Sequence, residues 1–306
     1  MAPVAVQAQP ARPAGPAGPL RLVGSDLQTP DPTSIESDQQ ALARLLEAYY
    51  TSYYRDELGL PDWKSHVAKR RSEEDNFAAI LAKAEREVIG RTIGPCIGRP
   101  PPRVLVVGGG TGADFITFAR RGCDVHAVEP NSDAVEIVRL KGRTLAIDTT
   151  NFIRGVGERL PYANESFDFI WSWTVIEHVQ NVRATLSEMA RVLRPGGEMF
   201  IGTVDYRQNY EPHYKTCLPC FLPESLVKII LRARGRPPAF YSTLARTNVH
   251  EVGTIFRDLG VIALHAHYPW SKMEASPRTL GERLVARIAR RRLIHTNQHW
   301  LVRKPA

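Results

Sequence analysis

The sequence predicts an α/β protein: a mostly parallel sheet with helices on both faces, a helical extension before it and a cap inserted late. Three observations predict this. Short apolar runs alternate with amphipathic stretches from Val104 to Val204, as strand–helix–strand crossovers require. The run Val104–Val107 leads straight into Gly108-Gly-Gly-Thr-Gly112, a strand-to-helix junction of the kind that binds ligands at the carboxyl ends of parallel strands. The chain is also large enough, at 306 residues and 43% hydrophobic, to bury a substantial core.

Residues 1–33 are rich in Ala, Pro and Gly and cannot bury enough apolar surface to offset ordering, which predicts a disordered tail. The tail has neither the charged start nor the apolar stretch of a secretory signal. It is poor in acids, as a transit peptide is, but also poor in serine and not amphipathic, so the expected location is the cytoplasm. Residues 34–99 read as a helical extension or lid. Ser37-Asp-Gln-Gln40 has capping-box spacing and predicts a helix to about Leu58, with Gly59 and Pro61 as stop signals. Tyr49, Tyr50, Tyr53 and Tyr54 lie on neighbouring turns, and aromatics at that spacing usually face a core; the alternative is a lid making aromatic contacts. A second helix is expected over Ser72–Gly90. Pro100-Pro-Pro102 then links to the main domain, residues 100–306.

There, strands are expected at Val104–Val107, Asp124–Val128, Phe152–Val156, Phe167–Thr174 and Glu198–Val204. Helices are expected at Ala113–Arg121, Ser132–Leu140 and Asn181–Leu193, the last ended by Arg194-Pro-Gly-Gly197. An insertion at about 206–245, holding Tyr210-Glu-Pro-His-Tyr214 and a short helix Pro223–Ala233, is placed where substrate caps are built. Helix Asn248–Leu259, strand Val261–His267, a basic amphipathic helix Thr279–Leu293 and strand Gln298–Arg303 complete the chain.

The glycines permit close backbone approach to a ligand, and the following helix aims its free N–H groups at it. Gly108-x-Gly-x-x-Ala113 alone also satisfies a dinucleotide fingerprint. Glu129, about twenty residues on, can accept hydrogen bonds from both hydroxyls of a ribose. Further on come Gly155-Val-Gly-Glu-Arg-Leu-Pro161, Phe167-Asp168, Glu177-His-Val179 and Arg191-Val-Leu-Arg-Pro-Gly-Gly197. This ordered set resembles the class I S-adenosylmethionine-dependent methyltransferases, especially the group of ubiquinone- and menaquinone-biosynthesis and other small-molecule enzymes. The resemblance covers about residues 100–205 well and the final strands loosely.

The resemblance implies a Rossmann-like seven-stranded sheet with its last strand antiparallel, and S-adenosyl-L-methionine as cofactor. It implies that Gly108, Gly110, Thr111 and Gly112 cradle the methionine part and Glu129 the ribose. Gly157 and Glu158 would flank the adenine, and the Trp173–Thr174 turn would face the reacting centre. Two positions depart from the family pattern: Val106 and Val156 stand where an aspartate is frequent.

Methyl transfer needs a nucleophile held in line with the C–S bond, and a hydroxyl or activated carbon usually needs a base. His178 and His213 are the candidate catalytic bases, with Glu177, Glu211, Tyr210 and Tyr214 behind them. The available bases favour an oxygen acceptor in a small molecule, glycan or lipid-linked substrate. The other readings are a nicotinamide-dependent oxidoreductase or epimerase, for which no catalytic Tyr-x-x-x-Lys pair is visible, and a non-catalytic partner with the same fold. No nucleic acid is expected: the turn after the fourth strand reads Trp171-Ser-Trp-Thr-Val instead of the Asn/Asp-Pro-Pro-aromatic turn of enzymes acting on flipped bases.

The formal charge of +8 is concentrated at the end, where Arg278, Arg283, Arg287, Arg290, Arg291, Arg292, Arg303 and Lys304 face Glu282 alone. Helix 279–293 is expected to pack on its own sheet; the alternative is peripheral contact with an anionic membrane. Cys96, Cys123, Cys217 and Cys220 form no dense framework, which predicts a reducing compartment. Cys217-Leu-Pro-Cys220 lacks a second pair, so no metal is expected.

Overall fold

The computed structural model describes residues 32–76, 101–207, 210–218, 222–267 and 297–306. The tail before Pro32, the basic helix 279–293, Cys96 and Cys220 lie outside the described residues. Five parallel strands form as the apolar runs require: β1 (Arg103–Val107), β2 (Asp124–Glu129), β3 (Phe152–Arg154), β4 (Phe167–Trp173) and β5 (Leu193–Val204). Val104–Val107 are buried on both faces, as a central parallel strand must be. A short ribbon, β6 (Tyr210–Glu211) and β7 (Thr216–Cys217), lies in the cap. The main sheet is completed by β8 (Ile262–His267) and β9 (Asn297–Arg303). Its order is β3-β2-β1-β4-β5-β9-β8, with β9 antiparallel to both neighbours.

Among the described residues the helices are α1 (Pro32–Thr51), α2 (Trp63–Asp75), α3 (Ala113–Arg120), α4 (Ser132–Leu145), α5 (Val182–Val192), α6 (Glu224–Ala233) and α7 (Val249–Asp258). Asn131, Asn181 and Asn248 cap α4, α5 and α7, their side chains accepting from backbone N–H groups two and three residues on, or three on for Asn181. One sheet face packs on α3 and α4 through Phe115, Phe118, Val135 and Val138; the other packs on α5 and α7 through Leu186, Met189, Val252 and Phe256. A third cluster joins Leu46, Tyr50, Tyr54, Leu58 and Val67 of the extension to Ile137 of α4 and to Tyr214, Val227, Leu231 and Tyr241 of the cap. Burying each of the aliphatic side chains in it contributes about 1.5–3 kcal/mol. Tyr50 and Tyr54 are therefore core residues, as their spacing predicted. No described helix is long and apolar enough to cross a membrane.

Several boundaries differ from expectation. Helix α1 starts at Pro32, not Ser37, because proline at the first helical position costs no hydrogen bond; a π turn over Ser52–Glu57 continues it. The second helix is Trp63–Asp75, so Ser72 lies near its end and not at its start. Residues 77–100 are outside the described set. Helix α4 runs past Leu140 to Leu145, ending on Ala146 in the left-handed conformation. Strand β3 stops at Arg154 because Val156 turns back to bridge Arg159. Residues 194–197 bulge between Leu193, opposite Phe167, and Glu198, opposite Phe169.

Candidate active site

The glycine loop leaves β1 at the carboxyl edge of the sheet. Gly108, at φ +75°, passes so close to Val175 that a Cβ would lie 2.3 Å from its Cγ2. Gly110, at φ +50°, faces open space: nothing lies within 4 Å of where its Cβ would be. One glycine thus presses the loop onto the turn after β4, and the other leaves a bare backbone facing a crevice.

Glu129 ends β2 beneath this loop. Its Oε2 accepts from Gly110 N at 2.9 Å and its Oε1 from Asn131 N at 3.0 Å. Each oxygen keeps a lone pair for a further donor. Burial raises its pKa, and the two backbone N–H groups pull the other way. Asp114, a half-buried acid next to the loop, accepts from Trp171 Nε1 at 2.9 Å and so fixes that indole. Val106 is buried in the core, whereas Val156 is exposed.

Gly157 packs against Thr185, and Glu158 accepts from the backbone N–H of Gln180 and Asn181 at the start of α5. Trp173 stacks on Phe200 and Trp171 in a ladder that His299 completes. Its neighbour Thr174 holds φ +54°, strain of the sort stored at functional turns.

Thr111 is held from another side. Its hydroxyl donates to Glu74 Oε1 on α2 at 3.0 Å. Glu74 also takes Tyr50 Oη at 2.7 Å and Lys141 Nζ at 2.6 Å, and Lys141 donates to Thr111 O at 2.8 Å. The helical extension is thereby bolted to the glycine loop by a buried ion pair. Nothing in the sequence marks Glu74 or Lys141 for this.

The two candidate histidines meet. The backbone N–H of His178 donates to the carbonyl of Val175, the residue whose side chain crowds Gly108. His213 reaches it from the cap: the Nε2 atoms are 3.2 Å apart. Glu211 Oε1 lies 2.7 Å from His213 Nδ1, and its Oε2 accepts from Tyr214 N. A carboxylate at Nδ1 places the proton there and leaves the Nε2 lone pair facing His178. His178 keeps exposed surface, yet the groups packed around it, with His213 beside it, push its pKa down to about 4.

Glu177 is fully buried; its Oε2 accepts from Thr203 Oγ1 at 2.7 Å, while its Oε1 has no hydrogen-bond partner. Tyr214 is a structural residue: its hydroxyl donates to Pro237 O and accepts from Tyr241 N, and burial pushes its pKa up to about 12. The side chain of Tyr210 is outside the described atoms.

Phe240 of the cap, which the sequence did not single out, gathers these groups. Its ring centroid is 5.4 Å from that of His213, 6.0 Å from His178, 6.0 Å from Tyr53 and 6.1 Å from Tyr214. Burial raises the pKa of both Tyr49 and Tyr53, with Glu129 contributing to the first and Glu211 to the second. Helix α1 and the π turn that continues it therefore reach from the glycine loop, through Tyr50 and Glu74, to Phe240 beside the histidines, through Tyr53.

Residues 105–201 match the family model described as a methyltransferase domain. A demethylmenaquinone methyltransferase of Renibacterium salmoninarum is 29% identical over 216 residues, 65% of this chain and 88% of that protein. A ubiquinone biosynthesis O-methyltransferase of Agrobacterium fabrum is 34% identical over 103 residues, 34% of this chain and 41% of that protein. Among solved structures, a geranyl diphosphate methyltransferase in complex with S-adenosylmethionine matches with a TM-score of 0.51 at 17% identity, over 74% of this chain and 90% of that one. At that identity the likeness is one of fold.

Proposed function

We propose the acceptor half of a reaction whose donor half is established: the chain belongs to the class I S-adenosylmethionine-dependent methyltransferases, and S-adenosylmethionine is its cofactor. That membership sets aside the oxidoreductase reading. The acceptor is a small molecule with a hydroxyl on an apolar, ring-bearing body. The observation that carries this is the Glu211–His213–His178 array opening under the rings of Phe240 and Tyr53. The quinone-pathway names of the relatives point the same way.

In this reading Gly108–Gly112 and Glu129 would hold the methyl donor, Glu129 by accepting from its ribose hydroxyls. The Val175 turn, packed on Gly108, brings His178 to the methyl side. The acceptor slides between Phe240 and Tyr53, which exclude water and present its hydroxyl to the imidazoles. S-adenosylmethionine, when bound, would supply a methyl group activated for in-line displacement with sulfur leaving, and the His178–His213 pair would take the proton of the acceptor hydroxyl. Holding the partners in line contributes several kcal/mol, and proton removal typically about 10²–10⁴-fold.

The test is a panel of phenolic, prenylated and sugar acceptors with radiolabelled methyl donor, run with the parent and with Phe240→Ala. Transfer to a ring-bearing hydroxyl, with KM raised at least fivefold in the variant, supports the reading. Transfer confined to amines, or a KM indifferent to Phe240, contradicts it.

A further inference from the structure

Two buried carboxylates lie behind the histidines. Glu177 and Glu211 are both fully buried, and among the described residues neither is paired with a lysine or arginine. Fully buried acids are rare without a cationic partner, because water no longer stabilises their charge. Glu177 has in addition an orphaned oxygen, Oε1. Among the described residues, the group beside them able to carry positive charge is the imidazole pair.

The donor geometry is that of a ligand set. One carboxylate oxygen of Glu177 and one ring nitrogen each of His178 and His213 lie within 4.8 Å of one another. In a tetrahedral site with metal–nitrogen bonds of about 2.0–2.1 Å, two nitrogens stand about 3.3–3.4 Å apart; His178 Nε2 and His213 Nε2 are 3.2 Å apart. Glu211 at His213 Nδ1 supplies the carboxylate–histidine contact that orients metal-binding imidazoles. Three protein ligands leave a fourth position open, as catalytic sites do and structural sites do not.

We propose that Glu177, His178 and His213 bind one divalent transition-metal cation, with Glu211 as a positioning residue. The mixed nitrogen and oxygen donors suit Zn²⁺, Co²⁺ or Mn²⁺ better than Mg²⁺ or Ca²⁺, which prefer oxygen alone. Binding moves the proton on His178 from Nε2 to Nδ1 and cancels part of the buried negative charge. The open position faces the acceptor cleft under Phe240. An acceptor hydroxyl bound there would be acidified by the cation, which takes over the task of the imidazoles. That last role rests on the acceptor reading above; the site does not.

The experiment titrates Co²⁺ into the tag-free, chelator-stripped full chain, followed by visible absorption, with cofactor affinity measured alongside by calorimetry. The expected result is one Co²⁺ per chain with intense tetrahedral bands, displaced by Zn²⁺. Glu177→Gln and His213→Ala should weaken binding at least tenfold, and Glu211→Gln about 10–100-fold, while each still binds S-adenosylmethionine like the parent. Variants that keep cofactor binding and bind Co²⁺ as tightly as the parent overturn the proposal. If a variant does not fold, the parent decides: a spectrum unchanged from aqueous Co²⁺ overturns the site. Methyl transfer that persists in a chain indifferent to Co²⁺ removes the cation alone. Tight Co²⁺ binding without transfer to any hydroxyl removes the acceptor reading alone.

Discussion

Replacing Glu74 by alanine removes the carboxylate that faces Lys141 in the protein interior. The two side chains are 4% and 5% exposed and their charged atoms are 2.6 Å apart. After the change, the ammonium still donates to Thr111 O at 2.8 Å, but the carboxylate that faced it is gone. Burial already lowers the pKa of Lys141, and Glu74 opposes that shift. Breaking a buried pair from one side costs about 3–5 kcal/mol. The hydroxyls of Tyr50 and Thr111 lose their acceptor as well. With a urea slope of about 3 kcal/mol/M, the unfolding midpoint should fall by about 1–1.7 M. The double variant Glu74→Leu with Lys141→Met removes both charges and should recover most of that loss, since well-packed apolar pairs replace buried ion pairs at little cost. Urea unfolding of the full chain, followed by fluorescence, reads both. A loss under 1 kcal/mol for Glu74→Ala, or a double variant no better than the single one, would refute the reasoning that α2 is bolted to the glycine loop by charge.

Two further outcomes follow from the loop itself. Gly108→Ala forces a methyl into Val175 at 2.3 Å and should lower the melting temperature by several degrees, whereas Gly110→Ala meets open space and should chiefly weaken cofactor binding; thermal melts with and without S-adenosylmethionine separate the two. Cofactor affinity should also fall on acidification, at a pH above the usual glutamate value of 4.5, because the raised pKa of Glu129 makes it take up its proton early and lose its hold on hydroxyls. The sign for stability is opposite: a raised folded-state pKa means Glu129 favours folding at low pH and loses that contribution as pH rises through it. Calorimetry between pH 4 and pH 8 reads the first, and an affinity flat across that range contradicts it.

The sheet was legible because its signals are local. Apolar runs and the Gly108–Gly112 junction each act within a few residues, and the strands and the junction lie where the sequence put them, apart from the boundaries noted above. Glu129 was legible by its spacing from the loop, and the structure places it on Gly110 N. The end of α4 was missed because Lys141 looks like a solvated helix end, yet its stem is buried and its charge is met by Glu74, 67 residues earlier. The pairing of His178 with His213 spans 35 residues and depends on how the cap folds back, which no periodicity encodes. Phe240 sits in a short 3₁₀ turn after Gly235, Pro237 and Pro238, with no regular pattern around it. Long-range polar contacts, in short, were fixed by tertiary packing and left no local trace.

The most direct test of the crevice is calorimetric titration of S-adenosylmethionine into the parent and into Glu129→Ala. Two charge-assisted hydrogen bonds to a ribose, each contributing about 1.5–3 kcal/mol, predict saturable one-to-one binding by the parent and at least a tenfold loss in the variant. Equal affinity in the two proteins would contradict the account.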